Sequence, residues 1–269
     1  MSGKPPVGGP FNPLLVRLRR ATAMSAAELE AMGGLSGSGR HVEKRVDLVS
    51  EDTRSDHIHV LLGGWACRYK LLANGRRQIT GVVLPGDVCD FDGLYVRPVD
   101  FTVRTLTSCT VMTISCSALH ALAAEHRGVA QALGWLAATE NAMLNEYNVG
   151  LGQRSAHERL SHLLCELYVR LQAVGLVTDY GFVLPMTQRD IGDALGLTAV
   201  HVNRVMQDLR DEGLIQLQRG KAVITQWPRL RAAAGFDPGY LHLGGANRPP
   251  GFPEPAGASP PPAGSRPGR

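Results

Sequence analysis

The sequence has no apolar run long enough to cross a bilayer, which takes about 20 mainly apolar residues. It also lacks the apolar core of a secretory leader, because the glycines and prolines of the first ten residues are followed by the basic Arg17, Arg19 and Arg20. These two absences argue against a helical membrane protein and against a secreted one. We therefore expect a cytoplasmic protein with no membrane partner.

Signatures of covalent and metal chemistry are also missing. There is no C-x-x-C motif, no Cys/His zinc spacing and no G-x-S-x-G motif, so we predict no enzyme, no catalytic residue, no metal and no cofactor. The widely spaced cysteines are interpreted as buried, reduced and apolar: Cys67, Cys89, Cys109, Cys116 and Cys165. His57 and His59 share one face of a predicted strand, where they form either a metal site or an exposed polar face, and we favour the exposed face.

Neither sign of charge is in strong excess. The 28 basic and 24 acidic residues give a net charge of +4. That value does not by itself predict a nucleic-acid partner, because a near-neutral total can hide a local basic patch. The length of 269 residues suggests two domains.

What the sequence does contain is a helix-turn-helix pattern from Thr187 to Arg210. Thr187 is a predicted helix cap with Asp190 three residues later, Gly196 interrupts the pattern, and Thr198 caps a second helix. The apolar residues of the second helix recur at i, i+3, i+4 and i+7: Val202, Val205, Met206 and Leu209. In a helix-turn-helix the second helix normally enters the DNA major groove.

The outward face of that second helix is polar, with one guanidinium and no carboxylate before Asp208. Its residues are Ala199, Val200, His201, Asn203, Arg204 and Gln207. After this helix in the sequence, the predicted strands 213–217 and 222–224 flank a tip with Arg219 and Lys221. A hairpin with a basic tip predicts the wing of a winged helix. A plain pair of helices within a larger core is the alternative, and the flanking wing favours DNA reading.

Between residues 42 and 115 the apolar pattern changes to a period of two. Short strands are predicted at residues 46–49, 57–62, 65–71, 77–83, 101–106 and 109–115. The pair Asn74-Gly75 is a strong hairpin signal between two of them. Regularly spaced short strands with glycine turns predict a jelly roll. One or two short helices precede it, with Ser25 as a cap and Glu28 three residues later.

Residues 117–151 form the longest predicted helix, and it carries two apolar stripes. The first consists of Leu133, Leu136, Met143 and Tyr147, and the second of Ala130, Ala137, Leu144 and Leu151. Glu140 interrupts the first stripe. Two stripes suggest two partners, the barrel and a second copy of the chain, so we predict a homodimer and assign its contact to the first stripe. The alternative is a helix buried wholly within one chain.

A further helix is predicted to begin at a capping box of Ser155 and Glu158 and to end at Gly175. We expect one side of it to be exposed or half-buried: His162, Cys165, Glu166, Val169 and Arg170. A short strand at 182–184 follows, and a last helical turn at 230–234 comes after the wing.

The predicted fold class is α+β, with an N-terminal jelly roll, a long dimerisation helix and a C-terminal winged helix-turn-helix. The predicted divisions are a disordered N-terminus at 1–11, the barrel domain at 12–126, the dimerisation helix at 127–152, the winged helix at 153–228, and an extension at 229–269 that is disordered from about 244.

This order of elements resembles the Crp/Fnr superfamily of bacterial transcription regulators, over residues 12 to 228. The most specific parts are the barrel segments at 84–87 and 93–95 and the segment that runs from 184 through 215. The resemblance implies a homodimer that binds an inverted-repeat DNA site and recruits or blocks RNA polymerase. It also implies that the barrel has a cyclic-nucleotide-binding-like fold. An effector bound in that barrel is expected to set the orientation of the DNA-binding domains.

The resemblance assigns roles to single residues of the helix-turn-helix. Arg204 matches the arginine that reads guanine, a contact worth about 1–3 kcal/mol of discrimination. Val200 stands where the family commonly has glutamate, so a different target preference is expected. Asn203 and His201 are the remaining candidates for base or phosphate contact. Phosphate contacts are implied for Thr187, Thr198, Arg219 and Lys221. The complete predicted DNA-binding set is Thr187, Gln188, Thr198, Ala199, Val200, His201, Asn203, Arg204, Gln207, Arg219 and Lys221.

At the effector site the sequence departs from the cyclic-AMP-binding members. Phe91 replaces their glutamate, Val99-Asp100 replace their Arg-Ser or Arg-Thr pair, and Leu144 with Asn145 replaces two hydroxyl residues. A carboxylate at Asp100 would repel a phosphate, so we predict that cyclic AMP does not bind. The absence of cysteine before Cys67 excludes the N-terminal iron-sulfur cluster of the oxygen-sensing branch. Another small effector, haem ligation, or no effector at all stay open.

The alternative function is an effector-binding module that regulates a protein partner through its winged helix. Arg204 and the basic wing argue against it, because they suit base edges and phosphates.

Overall fold

The computed structural model describes residues 12–35, 37, 39–218 and 220–243. The predictions for residues 1–11, for Arg219 and for the tail from 244 lie outside the described residues. Two short helices come first, α1 (Pro13–Ala21) and α2 (Ala26–Gly34). Ser25 and Glu28 form the predicted capping box at the start of α2.

The barrel consists of two antiparallel sheets. Its strands are β1 (Arg40–Val42), β2 (Asp47–Val49), β3 (His57–Gly63), β4 (Ala66–Leu71), β5 (Arg77–Val83), β6 (Thr102–Thr105) and β7 (Cys109–Ser115). The sheet orders are β1-β7-β3 and β2-β6-β4-β5. The six predicted strands are confirmed with ends within one residue, and β1 is an addition. Gly75 has a φ of +78° in the predicted hairpin turn, a conformation that glycine adopts at little cost.

The single helix predicted for 117–151 is wrong in one respect, because the structure divides it. α3 (Cys116–Glu125) is followed by α4 (Arg127–Gln153), and His126 between them has the extended angles φ −125° and ψ 105°. A helix cannot continue through that conformation. α4 nevertheless remains the longest helix of the described residues, with 27 residues.

The stripe of α4 that we assigned to a dimer packs within the chain. Leu133 and Leu136 are each 4% exposed in a core with α1 and β3. Met143 and Tyr147 pack against a second core, which contains residues of β4, β5 and the C-terminal domain. The second stripe is the exposed one: Ala130, Ala137, Leu144 and Leu151. The assignment of the first stripe to a partner chain is therefore corrected for Leu133 and Leu136, which are already covered, whereas Met143 and Tyr147 are half-buried.

α5 (Ala156–Ala173) is buried on almost every side. We predicted that one side of this helix would be exposed or half-buried. That prediction is wrong for four residues, which are all buried: His162, Cys165, Glu166 and Val169. The cover comes from α8 (Trp227–Ala233) and a 3-10 turn at Pro238–Leu241, a longer structure than the single helical turn predicted after the wing.

The C-terminal domain has the predicted winged helix-turn-helix. β8 (Gly181–Val183) precedes the two helices α6 (Gln188–Leu195) and α7 (Ala199–Asp211), and β9 (Ile215–Gln218) and β10 (Lys221–Ile224) follow them. The three strands form one sheet in the order β8-β10-β9. The turn between α6 and α7 is tight: a Cβ on Gly192 would lie 2.5 Å from the Leu197 carbonyl oxygen. One apolar core joins this domain to residues of β4 and β5.

Candidate nucleic-acid interface and sensor cavity

The orientation of α7 is fixed by its cap and by its apolar face. The Thr198 hydroxyl accepts a hydrogen bond from the His201 amide at 3.2 Å, which satisfies one free N–H of the first turn. The predicted apolar residues are all buried: Val202, Val205, Met206 and Leu209. The opposite face of α7 is therefore the one presented to solvent.

Most of the predicted DNA-binding residues lie on exposed surface. Val200 is 80% exposed, an unusual position for a branched apolar side chain. Ala199 and His201 are half-buried at the start of α7. The others are exposed: Thr187, Gln188, Thr198, Asn203, Arg204, Gln207 and Lys221. The side-chain amide of Gln188 donates to the side-chain oxygen of Asn203 at 2.9 Å, so the start of α6 and the face of α7 form one surface.

Arg204 has no hydrogen-bond or ion-pair partner within the described part of the chain. The Gln207 amide, one turn further on, is bound at both ends: it donates to Asp211 at 2.8 Å and accepts from Arg210 at 3.0 Å. Arg210 is thereby engaged with a neighbour. Arg204 is the guanidinium on this face whose donors are free for an incoming acceptor.

The start of α6 is anchored to the barrel by Arg77. Thr187 and Asp190 form a capping box, and Arg77 of β5 binds Asp190 at 2.5 Å and Asp193 at 2.8 Å. Burial alone would raise the pKa of the Asp190 carboxyl, but hydrogen bonds from Thr187 and Arg77 outweigh it and lower the pKa. Sequence reasoning missed Arg77, because a pair 113 residues apart has no local pattern.

A cavity lies between β5, the turn after it, α4 and α5, and two of the four predicted effector residues line it. Phe91 and Leu144 do so. Val99 is instead buried in the barrel core, and Asp100 is exposed and binds Lys70 at 2.8 Å. The prediction that Val99 and Asp100 face the effector site is corrected, because the chain directs Asp100 towards a neighbouring lysine.

The side chain of Arg68 lines this cavity and is held in place by several contacts. Its Nη2 lies 2.6 Å from Glu140 on α4, and its Nε and Nη2 donate to the Cys89 carbonyl oxygen at 3.3 and 3.1 Å. The guanidinium also lies 4.7 Å from the ring centre of Phe101. A volume of about 40 Å³ remains, enough for a few water molecules. Glu140, which interrupts the apolar stripe, is therefore the partner of a buried arginine.

A second set of charges joins the barrel to the C-terminal domain. Asp87 accepts from Arg17 of α1 at 2.6 Å and from Arg170 of α5 at 2.5 Å, and Arg170 also binds Glu166 at 2.9 Å. Burial alone would lower the pKa of Arg170, but Asp87 and Glu166 outweigh it and raise the pKa. These charges are tolerated in the interior because each has an opposite partner.

The remaining histidine and cysteine predictions have mixed outcomes. His59 is largely buried and binds Asp90 at 2.9 Å, so the exposed face favoured for it is wrong; His57 is exposed. All five cysteines are buried and unpaired, as predicted. Burial raises the pKa of the Cys67 thiol to about 12. Throughout residues 12–35, 37, 39–218 and 220–243, no three potential metal ligands come together.

A jelly-roll barrel, a long helix and a winged helix with an exposed arginine on its outer face together define a two-domain DNA-binding regulator. A family model of the cyclic nucleotide-binding domain matches residues 39–126, and one of the Crp-like helix-turn-helix domain matches residues 158–233. The chain belongs to the Crp/Fnr superfamily of bacterial transcription regulators.

Individual relatives agree with this. The nitrogen fixation regulation protein FixK of Bradyrhizobium diazoefficiens is 30% identical over 213 residues, which cover 79% of this chain and 88% of that protein. The transcriptional activator protein FnrL of Cereibacter sphaeroides is 27% identical over 188 residues, covering 68% and 75%. The structure of FixK2 from Bradyrhizobium japonicum matches with a TM-score of 0.66 and 29% identity, covering 74% of this chain and 96% of that one. These relatives are regulators and not enzymes. The helices of the described residues are all too short or too polar to cross a membrane.

Proposed function

We propose that this regulator binds an inverted-repeat DNA site as a homodimer and acts in the cytoplasm on transcription by RNA polymerase. The observation that carries the proposal is the outer face of α7, where Arg204 is exposed and has no partner within the described residues. An arginine fork pairs with both major-groove acceptors of guanine. A dimer of winged helices presents two such arginines to two half-sites.

The other exposed residues take complementary roles in this proposal. Val200 packs against a thymine methyl group, because a valine side chain has no hydrogen-bonding atom to offer cytosine. Thr187, Gln188 and Lys221 contact phosphates, which contributes affinity without sequence choice. The amide of Asn203, whose oxygen is held by Gln188, has donors left for a base or a phosphate.

The dimer contact is proposed for the exposed stripe of α4. Leu144 is 42% exposed and Leu151 38% exposed, and Ala130 and Ala137 continue the stripe towards the start of the helix. Apolar side chains at this spacing on a 27-residue helix suit the seam of a two-helix contact. A second copy of the chain offers the same stripe, as a two-fold interface requires.

The regulation proposed for this chain does not use cyclic AMP. The guanidinium of Arg68 and the carboxylate of Glu140 form an ion pair in the wall of the cavity that Phe91 and Leu144 line, where about 40 Å³ is left. A ligand would have to displace a buried ion pair, and removal of one partner from such a pair is costly.

An unbiased DNA selection with the purified full-length protein tests the function. We expect a sharp inverted repeat with guanine at a fixed position in each half-site, binding that weakens as salt rises, and the same motif and affinity when cyclic AMP is added. A flat, sequence-blind profile would contradict sequence reading and favour a protein partner for the winged helix. A motif that appears only with cyclic AMP would refute the effector proposal alone.

A further inference from the structure

The chain does not end at the wing but returns to the barrel side of the molecule. α8 packs on α5 through the buried Trp227 and Leu230. The next residues include Phe236, whose ring lies 6.2 Å from that of Trp227 and 5.1 Å from that of His162. We call residues 236–243 the strap. The family model of the helix-turn-helix domain ends at residue 233, so the strap lies beyond it.

On one side the strap binds the buried charges of α5. The Tyr240 hydroxyl donates to Glu166 at 2.8 Å, and the Tyr240 ring stacks on His162 at 5.8 Å. Glu166 has a side chain only 1% exposed, and its other oxygen binds Arg170. Because Arg170 binds Asp87 of the barrel, Tyr240 belongs to a polar chain that reaches the barrel turn.

On the other side the strap contacts α4 and the barrel directly. The indole N–H of Trp135 on α4 donates to the His242 carbonyl oxygen at 3.2 Å. Leu241 and Leu243 line a small cavity together with Leu84 and Pro85 of the barrel turn. Eight residues thus contact both parts of the protein.

The position of these contacts matters because α4 and α5 are connected along the chain only by the two-residue hinge Arg154-Ser155. Trp135 precedes the end of α4 by 18 residues, so at 1.5 Å per residue it lies about 27 Å from that hinge. A restraint so far from a hinge limits rotation about it much more than one close to it.

We propose that the strap fixes the DNA-binding domain at one angle to α4 and thereby makes the dimer select a single spacing between half-sites. The inference rests on the proposed dimeric DNA binding. Two domains that rotate freely would reach half-sites at several spacings, whereas two fixed domains fit one.

The test measures affinity for the selected half-sites at the optimal spacing and with one base pair removed or added. Trp135→Phe combined with Tyr240→Phe, in the full-length protein, removes the hydrogen bonds from Trp135 to His242 and from Tyr240 to Glu166 and keeps an aromatic ring at both positions. Tyr180→Phe, an exposed tyrosine outside the strap, is the matched control. We expect the double variant to lose part of its preference for one spacing, with base preference within each half-site unchanged.

A stronger variant ends the chain at Asp237, which keeps Phe236 and removes residues 238–243 of the strap. Its control ends at Leu243. We expect the Asp237 chain to bind the optimal site about tenfold more weakly, as when a tenth of the molecules hold the competent angle, and to lose more of its preference for one spacing than the double variant does. A spacing profile identical to wild type in both the double variant and the Asp237 chain overturns the proposal.

Hydrogen exchange at the Arg154 and Ser155 amides, measured without DNA, makes the test independent of DNA binding. We expect faster exchange in the Asp237 chain than in the Leu243 chain. If wild type selects no inverted repeat, the proposed function fails, and equal exchange in the two chains shows separately that the strap restrains nothing.

Discussion

At the residue scale, Arg204 on the outer face of α7 differs from the neighbouring amides Asn203 and Gln207, which are engaged with other side chains. Arg210 and Asp211 bind the two ends of the Gln207 amide, and Gln188 binds Asn203. Arg204 has no such contact within the described residues. Side chains with a partner on their own chain must give it up before they contact DNA, whereas Arg204 loses only its water. This difference makes Arg204 the residue on which base choice should depend most.

Two substitutions distinguish base reading from phosphate contact. Arg204→Ala should remove about 1–3 kcal/mol of preference for guanine, because the bidentate contact is lost. Lys221→Ala should weaken all sequences nearly equally and lower the salt slope by about 1. Binding to the selected site and to single-base variants, over a series of salt concentrations, measures both effects. Equal behaviour of the two variants would show that the assigned roles are wrong.

Buried charges at single positions explain features that the apolar pattern leaves unaccounted for. Glu140 stands within an apolar stripe because Arg68 reaches it from β4. Asp87 can lie in a buried turn because it binds Arg17 of α1 and Arg170 of α5. In both cases the acidic residue is stabilised by a partner that is distant in sequence.

At the scale of the element, α4 has two faces with different partners. Its buried face packs on α1, β3 and the C-terminal domain through the stripe that begins with Leu133. Its other face leaves Leu144 and Leu151 exposed, at 42% and 38%. Exposed large apolar residues on one helix face are typical of an interface.

A charge on the exposed stripe should disrupt the dimer. Leu144→Glu is expected to give a folded monomer, because two carboxylates would meet across the two-fold axis without partners. Sedimentation measures the oligomeric state, and affinity for the inverted repeat should fall by about 100-fold when the two half-sites are no longer bound together.

Leu176→Glu is the matched control, since Leu176 is also 42% exposed but lies after α5. It should remain a dimer. A dimeric Leu144→Glu variant would exclude this stripe as the contact.

At the scale of the whole molecule, several contacts of different chemistry hold the two domains together. Arg77 binds the start of α6, Asp87 binds α5, and the strap reaches α4. One apolar core also contains residues of both domains. The protein should therefore unfold as one unit, and groups buried between these elements should influence its overall stability.

His162 is such a group, and it predicts a dependence of stability on pH. Burial, reinforced by Arg154, lowers the pKa of His162 from 6.5 to about 4, although Glu146 opposes the shift. Because the unfolded chain takes up the proton first, the unfolding free energy should fall as the pH drops from about 6.5 through 4, by about 3 kcal/mol from this residue.

Chemical denaturation of wild type and His162→Phe between pH 7 and 4 checks this expectation. The phenylalanine keeps a ring against Phe236 and Tyr240 but cannot titrate, so the loss of stability should be shallower. His41→Phe, at an exposed histidine, should keep the wild-type slope. Equal slopes in the His162→Phe and wild-type proteins would refute the assignment.

The sequence by itself determined the local elements and their order. The capping boxes at Ser25, Ser155 and Thr187, the hairpin turn at Gly75 and the apolar spacing of α7 are short-range signals, and each led to a correct element. The exposed face of α7 followed from the same periodicity. These features were predictable because their physical causes lie within a few residues of each other.

Only the tertiary structure decided which surfaces of those elements are covered and which charges meet. The covered stripe of α4 and the buried side of α5 depend on α1, the barrel and the C-terminal segment, which approach from far along the chain. Asp100 binds Lys70, and Arg68 binds Glu140 in the wall of the cavity. Such pairings join residues tens to more than a hundred positions apart, and neither helical nor strand periodicity carries information about them.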